Sequence, residues 1–158
     1  MPEIIIGECP GMEGEVAGCF FGIAEADVHG RVYPTGGVYS LTNDRFTVLH
    51  ELGRAFDATM MDAGERNRFA SILARDDEVW SSTYTDEEGR VIEDPRSLAG
   101  VFGNAYANCR MGHIVASGHE WEAGYDYYPT ASEHRQICSL ITRAGADKGE
   151  PVAADGWR

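Results

Sequence analysis

One stretch of the chain carries the side chains best able to do chemistry. Residues 46–61 place His50 directly before Glu51 in a segment with the apolar spacing of a helix. Helix positions i and i+4 share a face, so a second imidazole at position 54 would complete a zinc-binding pair, with the glutamate activating a bound water. Position 54 is Arg54, whose guanidinium has no lone pair for a metal. The segment therefore holds one of the two imidazoles that such a zinc-binding pair needs.

The sequence around this pair resembles the active-site helix of the zincin metallopeptidases. Residues 48–57 read Val-Leu-His-Glu-Leu-Gly-Arg-Ala-Phe-Asp, close to the HELGHxxD form of lethal-factor-like peptidases and of small metallopeptidase-like proteins from actinobacteria and their phages. The resemblance implies an α+β fold of the minimal zincin kind. Such a fold has a small, twisted, mostly antiparallel sheet packed on the central helix, with about three further helices.

The same resemblance implies a third zinc ligand on a later helix, in a pattern like Glu-x-Phe-Ala-Glu. The matching stretch here begins at Gly100 and reads Gly-Val-Phe-Gly-Asn-Ala-Tyr. Gly100 stands where the ligand glutamate is expected, and Asn104 stands where the second glutamate is expected. The zinc site is therefore expected to be degenerate at Arg54 and Gly100. On this interpretation His50 is a vestigial metal ligand and Glu51 a vestigial general base.

Such a degenerate site predicts a catalytically inactive zincin-like protein with a binding or structural role and no cofactor. The phage resemblance suggests a virion or phage accessory protein, with virion proteins or a second copy of the chain as partners. The alternative is an active zinc metallopeptidase with a non-standard ligand set and Glu51 as general base. A third hypothesis is an inhibitory protein that binds a peptide by strand addition along Val38–Leu41.

Arg54 is also a candidate substitute for the charge of the missing ion. It lies three residues after Glu51 and three before Asp57, and both spacings allow an ion pair on a helix. A guanidinium between them would neutralise carboxylates that are costly to bury unpaired. The hypothesis is that Arg54 pairs with both carboxylates; the alternative is that it points to solvent.

The remaining histidines are weak candidates for ligands of this metal site. His113, His119 and His134 could supply ligands only through an unusual loop arrangement, and His134 is expected on the surface of a late helix. The four cysteines, Cys9, Cys19, Cys109 and Cys138, fit no zinc-finger spacing. Buried free thiols are the expectation for a reducing cytoplasm. The alternative pairs the first with the second and the third with the fourth, which would suit a particle released into oxidising surroundings.

Composition limits the possible partners. The 158 residues are 43% hydrophobic and 25% charged, which is ordinary for a globular protein, and their formal net charge is −13. This acidity disfavours nucleic acid, whose phosphates would be repelled. No apolar run approaches the roughly 20 residues of a membrane helix, and the first residues lack a basic signal-peptide region. We therefore expect synthesis in the cytoplasm without Sec export and no membrane partner.

The elements that must position the site are predicted in a simple order. Strands are expected at 3–7, 15–21 and 38–41, where β-branched and aromatic residues lie between glycine and proline. Four helix starts are predicted from capping residues, namely Asn43 or Asp44, Asp62 with Glu65, Asp94 before Pro95, and Thr130 with Glu133. A polar loop, 76–94, is expected to be anchored by Trp80. Residues 1–145 are predicted to form a single domain ended by Gly145, and 146–158 a loose tail.

Overall fold

The computed structural model describes residues 1–10, 17–22, 25, 30–41, 44–85, 87, 89, 91–112 and 127–148. Predictions for residues 15 and 16, Asn43, His113, His119 and 149–158 fall outside these ranges. The described strands are β1 (Glu3–Ile6), β2 (Gly18–Phe21), β3 (Gly37–Ser40), β4 (Thr83–Thr85) and β5 (Val91–Glu93). The described helices are α1 (Arg45–Met60), α2 (Ala63–Ile72), α3 (Leu98–Met111) and α4 (Ala131–Asp147). The predicted α+β class, with three helices beyond the central one, is confirmed.

The three-stranded sheet has the order β1-β3-β2. Its central strand β3 runs parallel to β1 and antiparallel to β2, so that Val38 lies opposite both Ile4 and Phe20. The sheet is therefore mixed rather than mostly antiparallel. Both edges of β3 already carry a neighbouring strand, so the prediction of peptide addition along Val38–Leu41 is wrong.

Capping side chains define the starts of three helices as predicted. Asp44 accepts a hydrogen bond from the Thr47 backbone N–H at 2.9 Å and begins α1. Reciprocal capping boxes begin the other two, Asp62 with Glu65 at α2 and Thr130 with Glu133 at α4. These side chains satisfy backbone donors that the first helical turn leaves without partners.

Two predicted helix boundaries are wrong. Asp94 caps only an isolated turn, and the cap of α3 is Ser97, which accepts a hydrogen bond from the Gly100 N–H at 3.3 Å. Gly145 does not end the last helix, because α4 continues to Asp147 and Gly145 is buried within it. Packing here outweighs the cost of about 1 kcal/mol for glycine inside a helix. The predicted tail therefore cannot begin at residue 146.

The predicted polar loop 76–94 contains the short antiparallel pair β4–β5. The charged residues between and beside these strands obscured the residue pattern by which a strand is predicted from sequence. Trp80 is an anchor, as predicted, and its ring packs on Phe69 and Phe102 at centroid distances of 5.7 and 6.0 Å. The loop is thereby attached to the helical core.

The buried side chains form two separate clusters. The larger cluster joins α1, α2, α3 and α4 around Phe102, Phe69 and Ile137. The smaller one contains Cys9, Tyr33 and Tyr39 beside the sheet. Within the part of the chain that the structure describes, no helix is long and apolar enough to cross a bilayer.

All four cysteines form disulfides. Cys9 is bonded to Cys19, and Cys109 on α3 is bonded to Cys138 on α4. The expectation of buried free thiols is therefore wrong, and the alternative pairing is the observed one. A covalent link between α3 and α4 restrains the helix pair on which the larger core is built.

Candidate functional site

Helix α1 holds the predicted site between the sheet and α3. Gly53 allows the close approach of α3, since a Cβ atom there would lie 2.8 Å from Tyr106 Cβ and 3.1 Å from Gly103 Cα. The close neighbour of Gly53 is therefore α3. This tight packing determines where the chemically capable side chains of α1 point.

His50 is a buried partner of α3. The residue is only 5% exposed, and its Nδ1 atom lies 2.7 Å from Asn104 Oδ1. Because an amide oxygen only accepts, the Nδ1–H donates in this hydrogen bond. Burial lowers the pKa of His50 to about 4, further depressed by the positive charge of Arg54, while the bond to Asn104 acts in the opposite direction. The imidazole is therefore neutral at pH 7.

Gly103 completes the enclosure of this ring. A Cβ atom at position 103 would lie 2.7 Å from Cε1, 2.9 Å from Nδ1 and 3.0 Å from Nε2 of His50. Real Cβ atoms essentially never come this close to another heavy atom, so any side chain at 103 would displace the imidazole. The ring is packed against the backbone of α3 at Gly103 and forms a hydrogen bond with Asn104, the next residue of that helix.

Glu51 faces a different element from its neighbour. It is 7% exposed, and a Cβ atom at Gly18 of β2 would lie 2.9 Å from Glu51 Cγ and 3.1 Å from Oε1. The carboxylate therefore lies against the backbone of the sheet, while the imidazole of His50 lies against α3. A general base must reach the water held by the metal, and these two side chains are packed against separate neighbours.

Asp57 has a cationic partner that the sequence did not predict. Arg66 of α2 donates from Nε to Asp57 Oδ1 at 2.8 Å, and Trp80 donates from Nε1 to Oδ2 at 2.9 Å. The predicted ion pair between Arg54 and Asp57 is therefore wrong, because α2 supplies the guanidinium instead. Arg54 is half-buried and close enough to His50 to lower its pKa. Its pairing with Glu51 stays a prediction.

A side chain at position 100 has no room in the present backbone. A Cβ atom at Gly100 would lie 2.4 Å from the backbone oxygen of Pro95. The turn before α3 fills this space, so a glutamate at 100 would require the backbone to move. Asn104 is the predicted site position that does meet His50. That Gly100 and Asn104 mark degenerate ligand positions stays a prediction.

The donor set around His50 does not fit a catalytic zinc. Such a site uses three protein ligands and one open position. Here Arg54 offers no lone pair, Glu51 is packed on the sheet, and the ring of His50 is buried against Gly103 of α3. Among the described residues, the single group of three metal-capable side chains with ligand atoms within 4.8 Å of one another is Cys109, His134 and Cys138.

The environment of His134 was predicted wrongly. It is half-buried rather than on the surface, Tyr127 contacts its Nδ1 at 2.9 Å, and its Nε2 lies 3.5 Å from Cys138 Sγ. The available signal was the i, i+4 spacing of His134 and Cys138 on one helix. Their partner Cys109 is too distant in sequence for local spacing to indicate it.

Comparison of the chain with protein-family models, with curated proteins and with solved structures finds no match. The zincin resemblance thus depends on the motif phrase alone and stays a prediction.

Proposed function

We propose that this chain is a zincin-like protein without peptidase activity, which serves as a binding or structural component. The observation that carries the proposal is the enclosure of the His50 imidazole, which is 5% exposed and packed directly against Gly103 of α3. In an active zincin the first histidine of the motif presents a ring nitrogen to the metal and a cleft. Here the corresponding imidazole is a packing and hydrogen-bonding element between α1 and α3.

The position of Arg54 supports the same proposal. A single imidazole cannot retain a catalytic zinc, which needs three protein ligands, and the helical position that would supply the second holds a permanent cation. That cation also lowers the pKa of His50, as a positive charge near an imidazole must. The local field therefore opposes the approach of a further cation such as Zn²⁺.

The two disulfides support a place of action in oxidising surroundings, because such bonds persist outside the reducing cytoplasm. A virion or a released phage accessory protein would meet that condition. The partner on this proposal is a protein, either another virion component or a second copy of the chain. Light scattering during size-exclusion chromatography, alone and in mixtures with candidate virion proteins, tests this part directly.

Elemental analysis of the purified protein tests the loss of the metal. We expect far less than one zinc per chain, no change in metal content on His50→Ala, and no cleavage of an unfolded protein substrate. One zinc per chain that is lost on His50→Ala would contradict the proposal. Cleavage abolished by Glu51→Gln, with the zinc retained, would establish instead the active metallopeptidase with Glu51 as base. Glu133→Gln, which changes an exposed carboxylate of the α4 cap, is the matched control.

A further inference from the structure

The disulfide between α3 and α4 has a histidine beside it. Cys109 is bonded to Cys138, and His134 stands one helical turn before Cys138. The Nε2 atom of His134 is 3.5 Å from Cys138 Sγ. One ligand atom from each of the three side chains lies within 4.8 Å of the other two. The disulfide Cys9–Cys19 belongs to no such group among the described residues.

Tyr127 controls how the histidine presents its nitrogens. Its hydroxyl lies 2.9 Å from Nδ1 of His134. When Nδ1–H donates to the phenol oxygen, the lone pair of Nε2 is directed to the sulfur side. Metal-bound histidines are commonly held in this way, with the second ring nitrogen bonded to a fixed partner. Burial also lowers the pKa of His134, which favours the neutral imidazole that a metal requires.

We propose that reduction of the Cys109–Cys138 disulfide creates a site for Zn²⁺ or another thiophilic divalent cation, held by the two thiolates and Nε2 of His134. In tetrahedral zinc sites with bond lengths of about 2.3 Å to sulfur and about 2.0 Å to nitrogen, ligand atoms are roughly 3.5–3.8 Å apart. The observed cluster already meets that spacing for His134 and Cys138. The two sulfurs need only separate from bonding distance, and α3 and α4 hold them on facing surfaces.

The chemistry balances with a dithiol as the reductant. The dithiol gives two electrons and two protons to the protein disulfide, forming two cysteine thiols and leaving as its own cyclic disulfide. Each thiol then loses its proton as it binds the cation, so two protons are released for each metal bound. Three protein ligands leave the fourth position to water, as in open zinc sites. In the reverse exchange a cyclic disulfide takes the two electrons back: the Cys109–Cys138 bond re-forms, the cyclic disulfide becomes a dithiol as it takes up two protons, and the cation leaves.

This inference is independent of the proposed function, because the site contains neither His50 nor Glu51. On this proposal α3 and α4 are joined by the disulfide in oxidising surroundings and by a bound cation in reducing ones. A chain made in the cytoplasm and later released would pass through both conditions. The metal would then hold α3 against α4 before the disulfide forms.

Cobalt titration of the reduced protein tests the proposal. The background is the Cys9→Ser, Cys19→Ser double variant, in which the only thiols come from Cys109 and Cys138. After anaerobic reduction we expect one Co²⁺ per chain, with the charge-transfer absorption of thiolate ligation, and displacement of Co²⁺ by Zn²⁺. The oxidised form of the same variant is expected to give no such band.

Two substitutions in this background distinguish the proposed three-ligand site from two thiols that bind metal nonspecifically. His134→Gln is expected to weaken Co²⁺ binding more than 10-fold, and Tyr127→Phe to weaken it roughly 10-fold through the lost hydrogen bond. The matched control, Cys109→Ser with Cys138→Ser, retains the other cysteine pair and is expected to give no thiolate band. Absence of the band in the reduced background, its presence in this control, or unchanged affinity on His134→Gln would each overturn the proposal.

Circular dichroism keeps the test interpretable if reduction loosens the fold. A reduced chain that loses helix and recovers it on addition of one Co²⁺ would support the site, because the binding free energy then drives folding. A reduced chain that loses helix and shows no recovery with Co²⁺ would overturn it.

Discussion

Replacing Gly103 by alanine tests whether His50 is truly a packing element of the α1–α3 interface. An alanine Cβ would lie 2.7 Å from Cε1 of His50, so the ring must move. Overpacking of this kind costs roughly 1–3 kcal/mol. Displacing the ring also loosens its hydrogen bond to Asn104, which contributes about 1 kcal/mol. Against these losses, alanine improves helix propensity by about 1 kcal/mol. The expected net destabilisation of Gly103→Ala is therefore about 1–3 kcal/mol.

The same substitution is expected to have the opposite effect when the imidazole is removed. His50→Ala alone leaves a cavity and an Asn104 oxygen without its donor, for an expected loss of at least about 2 kcal/mol. In that background the Cβ of Gly103→Ala enters vacated space, and its helix propensity makes it neutral or stabilising by about 1 kcal/mol. The double-mutant cycle should thus give a coupling energy of about 1–4 kcal/mol.

Urea unfolding of the four oxidised proteins, followed by circular dichroism, measures this cycle. Equal slopes with denaturant are required before the midpoints are compared. If Gly103→Ala stabilises the chain equally with and without His50, the imidazole does not pack on α3. The structural basis of the proposed inactivity would then be lost, since a ring free of α3 could face a metal.

Three further predictions concern the same region. Burial lowers the folded-state pKa of His50 from 6.5 to about 4, so the unfolded chain binds this proton first as the pH falls. The unfolding free energy should therefore be unaffected by this group above pH 6.5 and fall by up to about 3 kcal/mol as the pH drops to 4. His50→Gln should lack that fall in a pH series of unfolding curves. Asp57→Asn should lower the unfolding free energy by about 2–3 kcal/mol, because the half-buried Arg66 loses its counter-charge, and a change below about 0.5 kcal/mol in urea unfolding would show that the pair is unimportant. Gly100→Ala should destabilise by about 1–3 kcal/mol, because its Cβ would lie 2.4 Å from the Pro95 oxygen; a stabilised variant in thermal unfolding would restore position 100 as a possible ligand site.

Features encoded over a few residues were predictable from sequence. The caps at Asp44, Asp62 and Thr130 each depend on a side chain and a backbone N–H two or three residues away. The cap at Asp94 was misplaced because Pro95 fits a simple turn as well as a helix start, and only the packing of α3 chooses Ser97. Local pattern alone cannot distinguish those two outcomes.

Features that depend on contacts between distant elements were not predictable. Asp57 looked available to Arg54 because both lie on α1, yet Arg66 of α2 reaches it with better geometry. His134 was expected on the surface because local spacing does not show how α4 packs, yet its ring contacts Tyr127 and Cys138. In both cases the sequence identified a chemically capable residue but not its surroundings.

The zincin spacing places a histidine and a glutamate on a helix, but the neighbouring elements determine what that pair can do. A helix turns by about 100° per residue, so adjacent side chains necessarily point in different directions. In a peptidase both directions must open on one cleft, where the base and the metal share a water. Here α3 closes over His50 and β2 closes over Glu51. Restoring a second imidazole by Arg54→His is therefore expected to be insufficient for stoichiometric zinc, because the first imidazole would still be buried against Gly103 of α3. Zinc gained by that single change would show that the enclosure of His50 opens easily and that Arg54 alone prevents metal binding.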